Sequence, residues 1–430
     1  MLRCLIWINV NLSRSREKEV VAKQIVTFPG ARMLTGSISQ KQEHVMNYYG
    51  TLIQQERLRR DWSQEGLCKG ICAVSYLSKI EQGKAVPSEE VLQLLFKRLD
   101  ISVGAEAELQ AREMVEEAYE ALFNGDFSSF HGVMAQTENE KYRYTTVGLD
   151  ILLLEQLTWR REQAEQANIK SESLEGCMNS RQLALQRIHQ KRFEEAIRLL
   201  PNAYTYYCAG ANAYERGDNY TTAMEYLQTC YDLAAKEGAP RLMLLAKLFI
   251  GNCYCNQVDL ENMAVHYRVA ERLAKALQDT EALETIRYNT ASGQIEHGEY
   301  KEAYAYFSKL ENAGVMSLHK LAICCEKLGK KEEALEALYK AEQMEPEYPD
   351  KVLARQMCQV VRYRLMHEDY LEQEVYGKLL LDCFEACRKK LPIGYAAFHM
   401  PWVLEWYTAN RQYKKAYDLV TDFPVKYNLK

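Results

Sequence analysis

A slender residue followed four positions later by a large apolar one recurs five times between residues 193 and 420, and a variant copy, with Met in the slender place, makes a sixth. The copies are Phe193 with Ala196-x-x-x-Leu200, Tyr220 with Ala223-x-x-x-Leu227, and Gly251-x-x-Tyr254 with Met263, Tyr267 and Ala270. Tyr300 with Ala303-x-x-x-Phe307, Ala334-x-x-x-Leu338 with Ala341, and a degenerate Tyr413 with Ala416-x-x-x-Val420 complete the set. Positions i and i+4 are neighbours on a helix, so the small residue lets a second helix approach and the large one fills the space beside it. A pattern that returns at this interval describes a repeated pair of helices, each burying its apolar face only against its neighbours. The chain permits this, because 21 Gly and 9 Pro in 430 residues leave long stretches without a breaker and argue against an all-β fold. The expected fold class is all-α.

The pattern resembles the tetratricopeptide repeat. Ala223 to Met263 and Met263 to Ala303 are each 40 residues and Ala303 to Ala334 is 31, against a family period of about 34, so these are variants with longer helices. The resemblance implies a right-handed helical solenoid over 125–430, with a concave groove suited to an extended peptide or a partner helix. Such an array supplies no catalysis by itself.

Residues 46–104 have another character. Four short helical segments follow one another, with Ser63 placed as an N-cap ahead of Gln64-Glu65, and with Leu67 and Ile71 at i, i+4. A third helix is expected from about Ala73 to Gln82, ended by Gly83, and Pro87-Ser88 opens a fourth whose Val91, Leu92, Leu95 and Leu99 close a small core. Residues 105–124 read as a connecting helix. The runs Arg57-Leu-Arg-Arg-Asp-Trp-Ser-Gln-Glu and Ser75-Tyr-Leu-Ser-Lys-Ile-Glu-Gln-Gly resemble the Cro/repressor (XRE) helix-turn-helix family, although Glu56 stands at a commonly apolar position.

That resemblance implies that the exposed face of the third helix enters the major groove. Matched to the family pattern, Ala73, Ser75, Tyr76 and Lys79 point outward. Lys79 can reach guanine, Ser75 either kind of base edge, and Ala73 or Val74 a thymine methyl. Gln64 and Ser78, with Arg59, Arg60 and Lys84 at the edges, are better placed for phosphate. Residues 46–100 hold eight Lys or Arg against seven Asp or Glu, so one domain alone should hold its double-stranded operator weakly, and a homodimer on a two-fold site is expected.

The order of helix-turn-helix, connecting helix and repeat array is similar to that of the Rgg/PlcR/PrgX/NprR peptide-responsive quorum-sensing regulators of Gram-positive bacteria. In that family the groove binds a short signalling peptide, and asparagines on the inner helices hold its backbone, an amide offering both donor and acceptor. The segments Ile250-Gly251-Asn252 and Arg287-Tyr288-Asn289 match those that carry them, and Asn212 is a weaker candidate. Two other readings share the architecture: a protein-interaction scaffold, and a regulator carried by a phage or mobile element.

Other classes are disfavoured. The net charge of −5 excludes a globally basic nucleic-acid binder while leaving room for a small reading module on an acidic body. Thirteen Cys, none in a CxxC pair, suit buried thiols in a reducing cytoplasm better than a metal or disulfide framework. No HExxH, P-loop or GxSxG motif is present, so neither catalytic residues nor a cofactor nor a metal is expected. No apolar run is long enough to span a membrane. Residues 1–45, without periodicity and followed by Met46, read as a disordered or mis-assigned extension.

Overall fold

The computed structural model describes residues 38–427 apart from 138–139, 159–170, 218–219, 258, 345–350 and 392. Among the described residues there are twenty-one α-helices, four short 3-10 segments and no strand. The expected all-α class is what the structure shows, with the helix-turn-helix ahead of a helical-repeat region. These residues form two compact units, one ending at Tyr206 and the other beginning at Tyr207.

The first unit opens with α1 (Ile38–Arg59), α2 (Gln64–Cys68), α3 (Val74–Glu81) and α4 (Glu89–Arg98). It continues with α5 (Ala105–Asn124), α6 (Phe127–Met134), α7 (Gly148–Leu157), α8 (Ser180–His189) and α9 (Phe193–Leu199). Residues 1–37, most of the segment expected to lack structure, lie outside the described residues, and the helix that contains Met46 already begins at Ile38.

Tyr48, Tyr49, Leu52 and Ile53 of α1, Leu67, Leu77, Ile80, Leu92, Leu95 and Leu99 form one core, in which Leu67, Leu92, Leu95 and Leu99 stand as the periodicity predicts while Ile71 and Val91 are only partly buried against it. That core does not stop at residue 104. Leu149, Leu152 and Leu153 of α7, with Leu174, Cys177 and Met178, complete it. The junction is tight: the Tyr48 hydroxyl donates to the Arg143 carbonyl at 2.8 Å, and a Cβ on Gly148 would overlap that same carbonyl oxygen. The expected boundaries at 104/105 and 124/125 are therefore not breaks in packing, because an apolar stretch downstream of α5 returns to cover α1.

The division between the units falls within α10 (Ala203–Arg216). The second unit continues through α11 (Tyr220–Glu237), α12 (Pro240–Asn256), α13 (Leu260–Leu277), α14 (Thr280–Glu296), α15 (Tyr300–Phe307) and α16 (Val315–Lys327). It ends with α17 (Lys331–Gln343), α18 (Lys351–Met366), α19 (Glu374–Lys390), α20 (Ile393–Ala409) and α21 (Tyr413–Tyr427). From α11 to α21 helices consecutive in the chain pack on each other, and α12, α14, α16 and α18 also touch in turn, forming one layer. Helix α20 packs on α12 as well as on α19 and α21.

The repeat residues occupy the contacts expected of them. Ala196, Ala223, Ala270, Ala303 and Ala334 are fully buried, with Leu227, Tyr267, Phe307 and Leu338 packed in the core. Gly251 is required by close approach, since a Cβ there would overlap the Tyr267 ring. The last copy differs: Ala416 is half-buried, and Tyr413 and Val420 are 62% and 48% exposed on α21.

Candidate nucleic-acid interface

The helices of the N-terminal module end where their local chemistry tells them to. Ser63 accepts from the Gly66 N–H at 3.0 Å and Ser88 from the Val91 N–H at 3.3 Å, each satisfying a donor that the first helical turn leaves open. Helix α3 closes on Gly83, whose φ of 67° is the left-handed conformation that glycine adopts without penalty. The Gly83 N–H bonds the Ile80 carbonyl at 3.0 Å and the Lys84 N–H bonds Lys79 at 2.8 Å, the paired bonds of a Schellman closure.

What fixes α3 in space is less local. Leu77 and Ile80 sit in the core. A Cβ on Gly50 would overlap the Ile80 carbonyl, so a glycine there lets α1 lie directly against the end of α3. Arg57 Nε and Nη2 donate to the two Glu81 carboxylate oxygens at 2.7 and 2.9 Å, and Nη1 to the Trp62 carbonyl at 2.8 Å. The Arg57 and Glu81 side chains are 9% and 0% exposed, so this fork joins α1 to α3 out of water. Glu56 shows why a carboxylate is tolerated at a position that is commonly apolar: it pairs with Arg60 and accepts from the Tyr144 hydroxyl at 3.1 Å.

With α3 clamped on that side, its other side carries Ala73, Val74, Ser75 and Lys79, all exposed. Lys84 is exposed just beyond, and Arg59 projects largely into solvent, 3.5 Å from Glu56. Tyr76 is half-buried, its hydroxyl donating to the Val86 carbonyl at 3.2 Å. Ser78 is half-buried and accepts from Gln82 Nε2 at 3.1 Å. Two sequence-derived phosphate candidates are engaged inside the module instead. Gln64 Nε2 donates to Glu81 at 2.8 Å. Arg60 is paired with Glu56 and donates to the Leu99 carbonyl at 2.8 Å, bracing the end of α1 against the end of α4. Both satisfy buried acceptors, which gives them a structural task.

Residues 53–105 match the family model described as helix-turn-helix. The chain carries an XRE-type helix-turn-helix. This is the DNA-binding domain of a transcription regulator. The regulator is 26% identical over 277 residues to the transcriptional activator NprA of Geobacillus stearothermophilus, an alignment covering 56% of this chain and 67% of that protein. Among its described residues no helix is long and apolar enough to cross a membrane.

In the second unit of the regulator, two of the three asparagines singled out from the sequence come together. Asn252 on α12 and Asn289 on α14 are buried and share Tyr267 of α13. The Tyr267 hydroxyl donates to Asn252 Oδ1 at 2.6 Å, while Asn289 Nδ2 donates to Asn252 Oδ1 at 3.1 Å and to the Tyr267 oxygen at 3.0 Å. Burial raises the Tyr267 phenol well above its usual range, which keeps it a donor. Asn252 Nδ2 and Asn289 Oδ1 make no hydrogen bond with the described residues, so the pair holds one donor and one acceptor in reserve. Asn212 of α10 is half-buried and does not join this network.

The Arg57–Glu81 fork and the Tyr267 bridge were not singled out from the sequence. The signal for the first was available, since Arg57 lies four residues after the buried Ile53 and Glu81 beside the buried Ile80. Opposite charges on two core-facing stripes invite pairing.

Proposed function

We propose that this chain is a sequence-specific transcriptional regulator that acts in the cytoplasm as a homodimer and is controlled by a short signalling peptide held in the groove of a tetratricopeptide-type array. The observation that carries the DNA-reading part is the exposed side of α3, where Ala73, Val74, Ser75 and Lys79 stand on a helix clamped by the Arg57–Glu81 fork. Lys79 and Ser75 offer donors to base edges, and Lys84 and Arg59 offer charge to the backbone. A small exposed face with little net charge reads DNA best as two copies on a two-fold site.

The peptide part is supported by the reserve donor and acceptor of Asn252 and Asn289, which match the two hydrogen-bonding groups of an extended backbone. A peptide can change DNA affinity only by binding two arrangements of the regulator unequally. The test is the affinity of the full-length protein for the DNA upstream of its own gene, measured with and without pools of synthetic heptapeptides. A peptide-dependent change is expected for the wild type. Asn252→Ala and Asn289→Ala should lose that change while keeping the peptide-free affinity. A double variant that still responds would remove the sensing role and leave the DNA-binding role standing.

A further inference from the structure

Lys320 on α16 is only 9% exposed, yet among the described residues no hydrogen bond or ion pair reaches its ammonium. It lies 4.8 Å from the centre of the Phe398 ring and 5.7 Å from that of Tyr288, contacts that offset part of the cost of burial and leave the rest uncompensated. The carboxylate that acts on it is Glu296 at the end of α14, but the two make no ion pair. Glu296 Oε2 is itself buried with no partner. A buried cation and a buried carboxyl oxygen thus stand near each other, each lacking the bond it needs.

These groups continue the asparagine pair. Tyr288 adjoins Asn289 in the chain, and Glu296 lies seven residues beyond Asn289 on the same helix. Seven helical residues rise about 10 Å, which an extended chain covers in about three residues. Burial pushes the Glu296 carboxyl up to about 7, with Lys320 opposing the shift, and burial likewise lowers the Lys320 ammonium, with Glu296 opposing that shift, so each group is held short of its full charge for want of a closer partner. An incoming carboxylate could then accept from both the Lys320 ammonium and the Glu296 hydroxyl.

We propose that Lys320 and Glu296 form the subsite for the free C-terminal carboxylate of a short peptide whose backbone, about three residues earlier, lies on Asn252 and Asn289. This rests on the peptide-binding reading above and adds the direction and end-group of the ligand.

The test exposes the full-length protein to two equimolar mixtures of random heptapeptides, one of free acids and one of C-terminal amides, and identifies retained peptides by mass spectrometry. The free-acid mixture should be retained at least tenfold more. Lys320→Gln should bring the two mixtures level, whereas Lys320→Arg should keep the preference. Equal retention by the wild-type protein, or a preference that survives Lys320→Gln, overturns the subsite while leaving peptide binding intact. Amidated peptides that bind as well as free acids whenever they contain Asp or Glu would assign the carboxylate to a side chain and also overturn it. Retention from neither mixture would remove the peptide reading itself, and the subsite with it. Lys320→Gln should melt no lower than wild type, since it removes an unpartnered charge; a clearly lower melting temperature would mark the lysine as structural and refute the proposal.

Discussion

Replacing Glu81 by Ala tests whether the fork to Arg57 is what holds the reading helix in place. The substitution removes the acceptor of bonds at 2.7 and 2.9 Å from Arg57 and at 2.8 Å from Gln64. It leaves a guanidinium that is 9% exposed with the Trp62 carbonyl still bonded. Breaking one side of a buried pair in this way costs about 3–5 kcal/mol. At about 1.4 kcal/mol per decade this is roughly two to three and a half orders of magnitude in the local opening equilibrium. Hydrogen exchange followed by mass spectrometry on the full-length chain should show the amides of α3 exchanging faster by that factor, with α13 and α14 unchanged. Removing both charges in Arg57→Met/Glu81→Met should restore protection to within about 1 kcal/mol of wild type, because the large term is the stranded charge rather than the pair itself. A loss below about 1 kcal/mol in the single variant, or a double variant as labile as the single, would refute the clamp.

Lys79→Ala and Ser75→Ala should each weaken operator binding by about 1–3 kcal/mol with no change in melting temperature, as measured by fluorescence anisotropy. Lys84→Ala should weaken binding to all duplexes alike and reduce the salt slope by about one. Arg60→Ala should lower the stability of the N-terminal unit in a thermal melt, given its bonds to Glu56 and the Leu99 carbonyl; an unaltered melt would return it to the phosphate contacts. Gly251→Ala should destabilise by about 1–3 kcal/mol in denaturant melts, since its methyl would overlap the Tyr267 ring. Glu296→Gln should gain on wild type as pH rises. Burial lifts the folded-state carboxyl from 4.5 to about 7, so wild-type stability falls across that interval and the variant's does not, the gap approaching about 3 kcal/mol by pH 8; parallel stability curves from pH 4 to 8 would contradict this.

What could be read from the sequence was what is encoded locally. Ser63, Gly83 and Ser88 mark helix ends through bonds to residues within three positions or through a left-handed φ, and all three stand where expected. The repeat alanines were legible because burial at i and i+4 is a property of one helix. Partnerships across the chain were not. Glu56 meets Tyr144 at a separation of 88 residues, and Leu149, Leu152, Leu153, Leu174, Cys177 and Met178 join the core of α1. Periodicity says that a face is buried and not against what. Gln64 and Arg60 show the same limit, since a polar side chain at a module's edge can serve a phosphate or a buried carboxylate equally well. Asn252 and Asn289 were reached by their match to a family segment, yet their link through Tyr267 emerges only once α12, α13 and α14 are packed together.

The most direct test of the central claim is selection of duplexes from a random pool by the full-length protein, repeated with Lys79→Ala. The wild type should enrich one two-fold sequence with half-site centres about one helical turn, roughly 34 Å, apart. Lys79→Ala should relax the preference at one base pair in each half while the remainder of the site is kept. No enriched sequence from the wild type, or the same sequence with undiminished preference at every position from both proteins, would contradict the assignment of α3 as the element that reads DNA.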